Sequence, residues 1–174
     1  MKFKFSNPFV FIVSIFLLSS LFISAPTSAA VNVQVSTFSG IGGAGSADGP
    51  AMEAQFNRPV DIIGDDEGNF YILDANGVRK ISKNSSVSTI YRFPGIPGNT
   101  YYCSMGIDKE DVIWVVDCQR QNIWRISTNG KLLSSFSMPS VNSWMTGSQA
   151  ISFLPDGRAL IPIWAAGKIV AVSS

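Results

Sequence analysis

Residues 59–74 read PVDIIGDDEGNFYILD, and residues 104–117 read SMGIDKEDVIWVVD. Each stretch has a short apolar run, a polar turn, and a second apolar run that ends in Asp. A third copy, residues 149–163, reads QAISFLPDGRALIPI and lacks the final Asp. The two terminal aspartates, Asp74 and Asp117, are 43 residues apart. This period matches the roughly 40–45 residues of a four-stranded propeller blade.

The second apolar run of each copy favours the same architecture. A strand with one face in water alternates apolar and polar residues, whereas residues 70–73 and 112–116 are apolar throughout. Stacked blades cover both faces of every sheet, and two facing sheets of a sandwich are the alternative. The period favours the propeller. We therefore predict an all-β fold, a partial β-propeller of about three four-stranded blades.

The blade boundaries follow from the repeat. Blade 1 is predicted at residues 59–93, blade 2 at residues 101–138 and an incomplete blade 3 at residues 148–174. In blade 3, Pro162 falls inside a predicted strand. Because proline cannot donate a ladder hydrogen bond, we expect a demoted strand or a distortion there.

The first 30 residues differ from the rest of the chain. Lys2 and Lys4 precede an apolar run at residues 9–23, and small residues follow at 24–30. This order predicts a cleavable secretory signal at residues 1–30, and hence a secreted or periplasmic protein. The apolar run is shorter than the roughly 20 residues that span a bilayer, so no stable membrane span is expected after cleavage. An uncleaved anchor is the alternative.

Charge and composition restrict the function. Loss of Lys2 and Lys4 with the signal would leave 11 basic and 12 acidic residues. Such a nearly neutral protein has no positive electrostatic field to attract phosphate groups, so nucleic acid is not expected as a partner. The chain has no histidine, which removes the usual general base, the usual catalytic triads and the commonest zinc ligand. A non-enzymatic role without a cofactor is favoured, with calcium as the alternative.

Residues 31–58 precede blade 1. Val31–Phe38 has β-type composition and is predicted to be an outer fourth strand. Gly40–Gly49 contains five glycines but no Gly-Lys-Ser/Thr, so it is interpreted as a flexible connecting loop rather than a phosphate cradle. Residues 50–56 can form at most a helical turn or two.

Several of these segments resemble NHL repeats. The similarity is carried by residues 35–40, 42–50, 54–59, 65–74 and 76–81, although the histidine of the last motif is absent. The resemblance implies a propeller, usually six-bladed, that serves mostly as an interaction platform. Some relatives are enzymes. The amidating-lyase-like members bind zinc through histidines that this chain lacks, and the calcium ligands of gluconolactonase-like propellers cannot be matched here residue by residue.

Polar and aromatic residues in loops or at strand ends suit a recognition face. The candidates are Arg58, Asn76, Tyr101, Tyr102, Arg120 and Trp144. Buried loop anchors are the alternative for the aromatic residues. The predicted function is a binding scaffold for a protein, peptide or glycan. The alternatives are a carboxylate- and calcium-dependent hydrolase or lactonase, and a truncated remnant of a longer NHL-repeat protein.

Two further pairs of residues flank the predicted hairpins. Cys103 and Cys118 bracket the first hairpin of blade 2 and could form a disulfide, with two buried thiols as the alternative. Asp74 and Asp117 are interpreted as acceptors for amides of the following turn, rather than as calcium or substrate ligands. Residues 65–69 are interpreted as a hairpin turn because they lack the length of a calcium loop.

Three blades are fewer than the four to eight that propellers typically have. Two outcomes follow. In one, a homodimer closes a six-bladed ring, and each N-terminal strand completes a blade of the partner. In the other, the chain is an open arc whose apolar faces are exposed.

Overall fold

The strands of the chain are defined by a computed structural model that describes residues 32–94, 102–117, 122–138, 150–163 and 166–173. The chain divides into two units, Met1–Val35 and Ser36–Ser174, and all strands of the described residues lie in the second. The described residues contain no helix long and apolar enough to cross a membrane. The predicted signal at residues 1–30 lies outside the described residues.

The described residues form twelve strands. They are β1 (Gly49–Pro50), β2 (Asp61–Gly64), β3 (Phe70–Asp74), β4 (Gly77–Ile81), β5 (Ser86–Tyr91), β6 (Tyr102–Ile107), β7 (Val112–Asp117), β8 (Asn122–Ser127), β9 (Leu132–Ser137), β10 (Ser152–Phe153), β11 (Ala159–Ile163) and β12 (Lys168–Val172).

The strands form three antiparallel sheets, each with strands in sequence order. Blade 1 has the order β2-β3-β4-β5 with β1 added beside β5, blade 2 has β6-β7-β8-β9, and blade 3 has β10-β11-β12. Blades 1 and 2 therefore have the predicted four strands. In blade 3, the pairing of β10 stops at Leu160, two residues before Pro162. Because Pro162 has no N–H, the early end of β10 is the distortion that its position predicts.

Each of the first two hairpin turns is held by one aspartate. Asp65 Oδ1 accepts hydrogen bonds from the amides of Glu67 (3.0 Å) and Asn69 (2.8 Å), and its Oδ2 accepts one from the Tyr71 hydroxyl (2.8 Å). The interpretation of residues 65–69 as a hairpin turn is therefore confirmed. Burial, together with the hydrogen bond to Asp65, raises the pKa of Tyr71, so its hydroxyl remains a donor at neutral pH.

The same arrangement recurs in blade 2. Asp108 Oδ1 accepts from the amides of Glu110 (2.9 Å) and Val112 (3.0 Å), and Oδ2 accepts from Trp114 Nε1 (2.7 Å). Asp111 completes the turn with a φ of 58°. Since this aspartate directly follows the first strand of the hairpin and the aromatic residue lies in the second, their hydrogen bond helps to fix the register of the hairpin.

Alternating residues of β7 face opposite neighbours, which explains the continuous apolar sequence. Trp114 and Val116 pack in one core with blade 3, whereas Ile113 and Val115 pack in another core with blade 1. All four side chains are fully buried. Burying one such side chain stabilises the fold by about 1.5–3 kcal/mol, so the contacts between blades contribute much of the stability.

We call the face of a blade that packs on the next blade its front face, and the opposite face its back face. Tyr71, Leu73 and Val78 lie on the front face of blade 1. Its back face contains a smaller core, which includes Ile72 and Ile81.

The segment before blade 1 differs from the prediction. Residues 32–38, the described part of Val31–Phe38, contain no strand. Gly40–Gly49 is not a free connector, because the amides of Gly40 and Gly45 donate to carbonyl oxygens of Ala51 (2.7 Å) and Phe56 (3.2 Å). The segment is a loop, as predicted, but it is held by hydrogen bonds to the residues that follow it. The carbonyl oxygen of Ala47 and the carboxylate of Asp48 accept hydrogen bonds from the buried side chain of Arg79, which is described below.

The short helical turn predicted at residues 50–56 is confirmed. The amide of Ala54 donates to the carbonyl oxygen of Pro50 (3.0 Å), and one turn forms. Ala51 and Ala54 are buried in the back-face core of blade 1.

Candidate functional site

Polar residues gather at one end of blade 1, where β3 ends and β4 begins. We call this region the Asp74 end. Asp74 is buried, its Oδ1 accepts from the Asn76 amide (2.7 Å), and its Oδ2 accepts from the Asn57 amide (3.2 Å). Asp74 therefore has the predicted role of accepting amides of the following turn. Asp117 is buried at the equivalent end of β7.

A buried arginine lies behind Asp74. The side chain of Arg79 is fully buried, and its Nη1 donates to Asp74 Oδ2 (3.2 Å) and to the Gln55 carbonyl oxygen (2.9 Å). Its Nη2 donates to Asp48 Oδ1 (2.7 Å) and to the Ala47 carbonyl oxygen (3.0 Å). Because a buried guanidinium needs charge partners and acceptors, these four bonds fix the segment before blade 1 against the sheet.

Asp48 connects the same segment to the outer strand of the blade. Partial burial alone would raise the pKa of Asp48, but hydrogen bonds from the Thr89 amide (3.0 Å), from Arg79 and from the Thr89 hydroxyl (2.9 Å) outweigh it. The net effect lowers the pKa of Asp48 below its ordinary value. Asp48 is therefore ionised at neutral pH, where its carboxylate pairs with Arg79.

Arg58 is an exposed residue at the Asp74 end, and its backbone is fixed on both sides. On one side, Asn57 donates to Asp74, and its carbonyl oxygen accepts from the Ala75 amide (2.9 Å). On the other side, the Val60 amide donates to the Leu73 carbonyl oxygen (2.8 Å). Arg58 has a φ of 50°, a left-handed conformation that is uncommon for a residue with a side chain.

The other predicted recognition residues are distributed as follows. Asn76 lies at the Asp74 end, half-buried, and its side-chain amide donates to the Gly45 carbonyl oxygen (3.1 Å). Tyr102 begins β6 and pairs with Asp117, which places it at the equivalent end of blade 2. Tyr101, Arg120 and Trp144 lie outside the described residues. The structure thus brings Arg58 and Asn76 to one end of blade 1, and it leaves the recognition role of all six a prediction.

The predicted disulfide remains untested. Cys103 is half-buried and lies at an irregularity in the β6–β7 pairing, between Tyr102 and Ser104. Cys118 lies outside the described residues.

The sequence interpretation missed three charged residues that organise this region: Arg79, Asp48 and Asp61. Asp61 joins blade 1 to blade 2, because its Oδ2 accepts from the Met105 amide (2.7 Å) and lies 3.4 Å from Ser104 Oγ. For Arg79 and Asp61, the available signal was a charged residue in a short strand that also contains apolar residues, as in GVRKI of β4 and DIIG of β2. Such a charge in a buried strand needs a partner, and therefore marks a structural or functional cluster.

An apolar pocket of about 470 Å³ opens on the back face of blade 1. Phe38, Phe56, Val60, Ile62 and Ile72 contribute to its lining. Its volume falls in the range of ligand pockets, about 300–1,000 Å³. In the part of the chain that the structure describes, no group of three or more His, Cys, Asp or Glu residues could hold a metal ion.

Comparison with solved structures decides the fold. Virginiamycin B lyase from Staphylococcus aureus superposes with a TM-score of 0.55 at 18% identity, over 68% of this chain and 39% of that protein. A streptogramin B lyase superposes with a TM-score of 0.57 at 19% identity, over 67% and 37%. The three sheets are propeller blades. The predicted all-β partial propeller is therefore confirmed, and the sandwich alternative is wrong.

These similarities show the fold alone, because the identities are low. The chain spans less than two fifths of the length of either lyase. No family model and no curated protein matches the sequence.

Proposed function

We propose that this chain is an exported propeller that acts as a binding scaffold for a protein, peptide or glycan. The observation that carries the proposal is Arg58, an exposed residue whose neighbours on both sides are fixed by hydrogen bonds to the end of β3 and to the turn that follows it. Loops held by a rigid sheet are the usual position for recognition residues. The strained φ of Arg58 also agrees with a functional constraint at this residue.

The chemistry of Arg58 indicates the kind of ligand. A guanidinium presents a planar set of donors that matches a carboxylate in two parallel hydrogen bonds. An acidic peptide or a carboxylated glycan is therefore the preferred class. The NHL-like motifs described above support the same role, since the family they resemble uses its propellers mostly as interaction platforms.

The experiment is a binding screen of the purified exported chain on arrays of acidic peptides and carboxylated glycans. For a ligand retained by the wild type, Arg58→Ala should weaken binding at least tenfold, which corresponds to about 1.4 kcal/mol. Lys83→Ala is the matched control, because Lys83 is an exposed cation at the opposite end of blade 1, beside Asn69. Its binding should be unchanged.

Three results would contradict the proposal. They are the absence of any retained ligand, equal losses for Arg58→Ala and Lys83→Ala, and binding that survives Arg58→Ala. A separate measurement addresses the hydrolase alternative. If calcium raises the melting temperature relative to a chelator, and the chain also opens a lactone substrate, the carboxylate- and calcium-dependent enzyme replaces the scaffold as the function.

A further inference from the structure

Two faces of the propeller arc are exposed where the repeat would bury them: the back face of blade 1 and the front face of blade 3. The strands of the three blades pair in the same register. Each position in blade 1 or blade 3 therefore has an equivalent position in another blade, and the burial of the two can be compared. Comparison of these counterparts identifies the residues that a neighbouring blade would cover.

On the back face of blade 1, Ile62 is the counterpart of Met105, because they pair with the equivalent residues Ile72 and Val115. Met105 packs against blade 1 and is 3% exposed, whereas Ile62 is 56% exposed. The segment before blade 1 covers the outer part of this face, and the inner part around Ile62 remains open as the 470 Å³ pocket.

On the front face of blade 3, Ile169 is the counterpart of Val78 in blade 1 and of Ile123 in blade 2. The pairings of Ile169 with Pro162 and of Ile123 with Val116 establish this equivalence. Val78 and Ile123 are fully buried, whereas Ile169 is 72% exposed. Leu160 and Pro162, on the same face as Ile169, are also only partly buried.

The two open faces are complementary halves of one joint. Within the chain, Val78 on the front of blade 1 and Met105 on the back of blade 2 belong to the same apolar core. Their counterparts at the open faces are Ile169 and Ile62. The described blades therefore carry, on their two open faces, the two sides of an interface that the chain already forms internally, and a second copy of the chain would present the matching side of each.

The edge strand of blade 3 and the segment before blade 1 also favour a second copy of the chain as the partner. Among the described residues, blade 3 has three strands and β12 is the edge of its sheet, whereas β5 and β9 provide the fourth strand in blades 1 and 2. Residues 32–38 contain no strand, and their Val33 and Val35 are 73% and 92% exposed. These valines alternate with polar residues, as expected of a half-buried strand. An unpaired edge and an unpaired β-type segment are the two components of strand addition.

We propose that two copies of this chain close a six-bladed ring. The front face of blade 3 in each copy packs on the back face of blade 1 in the other, and residues 32–38 of each copy add a fourth strand to β12 of the other. Six blades lie within the usual range of four to eight, and a twofold axis makes the two joints identical. The proposal rests on the fold and not on the role of Arg58.

The first measurement is the mass in solution of the purified exported protein, by size-exclusion chromatography with light scattering. At roughly 10 µM, an interface with a Kd of about 1 µM would be mostly assembled, and two chains per particle are expected. One chain per particle, or a series of larger species that do not close, overturns the proposal.

Substitutions then locate the interface. Ile169→Lys should reduce the particle to one chain, because the joint would bury an unpaired charge. Leu133→Lys is the matched control: Leu133 is an exposed apolar residue on the outer strand of blade 2, away from both open faces, and two chains should remain. Circular dichroism must show both variants folded. A folded Ile169→Lys variant that keeps two chains overturns the proposal.

A charge-pair rescue tests the specific contact. Ile62→Glu alone should also give single chains. The double variant, Ile62→Glu with Ile169→Lys, should regain two chains per particle, because each joint then contains one glutamate and one lysine. If the double variant stays as single chains, the two residues do not meet and the proposed joint is wrong.

The added strand has its own test. Val35→Pro removes a backbone donor and should weaken the dimer at least tenfold, whereas Val35→Thr keeps a β-branched residue and should weaken it less. Equal dimer affinities for the wild type and Val35→Pro would exclude the strand exchange. The Arg58→Ala variant should remain a dimer, so a failure of the ring and a failure of ligand binding are distinguishable.

Discussion

Replacement of Asp74 by alanine would remove the fully buried carboxylate that faces Arg79 at 3.2 Å. Loss of one partner of a buried ion pair typically costs about 3–5 kcal/mol, because the remaining charge is left in the interior. Asp48 still contacts Arg79 at 2.7 Å, so we expect the lower end, about 3 kcal/mol. The amides of Asn57 and Asn76 would also lose their acceptor.

The assay is urea unfolding at neutral pH for the wild type, Asp74→Ala, Arg79→Met and the double variant. The free energies of unfolding give the coupling between the two residues. Removal of both partners leaves no buried charge uncompensated, so the double variant should be less destabilised than the sum of the single variants, by at least 1 kcal/mol. A loss below about 1 kcal/mol for Asp74→Ala, or additive single variants, would refute the assignment of Arg79 as a buried cation that depends on Asp74.

Three further predictions concern other parts of the fold. Because folding lowers the pKa of Asp48, this residue stabilises the folded state at pH values above 3.8, its ordinary pKa. The stabilisation is lost as the pH falls through the lower pKa of the folded state. The difference in melting temperature between the wild type and Asp48→Asn should therefore shrink between about pH 6 and pH 3, and a constant difference would contradict it. Gly106→Ala would place a methyl group 2.5 Å from the side chain of Ile151 in blade 3. It should lower the free energy of unfolding in urea by about 1–3 kcal/mol. An unchanged urea midpoint would disprove this close packing. Titration of the unfolded exported protein without reductant should find no free thiol if Cys103 and Cys118 are joined, whereas two thiols would reject the disulfide.

The sequence predicts the strands and hairpins of the first two blades because their causes are local. Residues 65–69 form their turn with donors and acceptors at most six positions apart, as the bonds of Asp65 show. The role of Asp74 is also local, since its closest amide donor is two residues away. The 43-residue period supplies the long-range information, because it indicates that the hairpins belong to successive blades.

The organisation around Arg79 is not local, and this explains why the sequence interpretation missed it. The carbonyl oxygens that Arg79 binds belong to residues 24 and 32 positions away, in a segment rich in glycine. Glycine allows many backbone conformations, so composition alone favours a flexible loop. Only the three-dimensional position of the guanidinium shows why Ala47 and Asp48 are held against the sheet. The exposure of Arg58, in contrast, agrees with its choice from the sequence as a loop residue for a recognition face.

The hydrogen bond between the turn aspartate and the aromatic residue of the next strand has no counterpart in blade 3. Leu154 and Leu160 occupy the positions of Asp108 and Trp114, and the turn of blade 3 relies instead on an exposed contact between Asp156 and Arg158. Local opening is easiest where backbone hydrogen bonds are exposed and few contacts hold them. Local unfolding of a single chain should therefore start in blade 3. The amide hydrogens of this blade would exchange with solvent first, and its hairpin would be the first site of proteolytic cleavage.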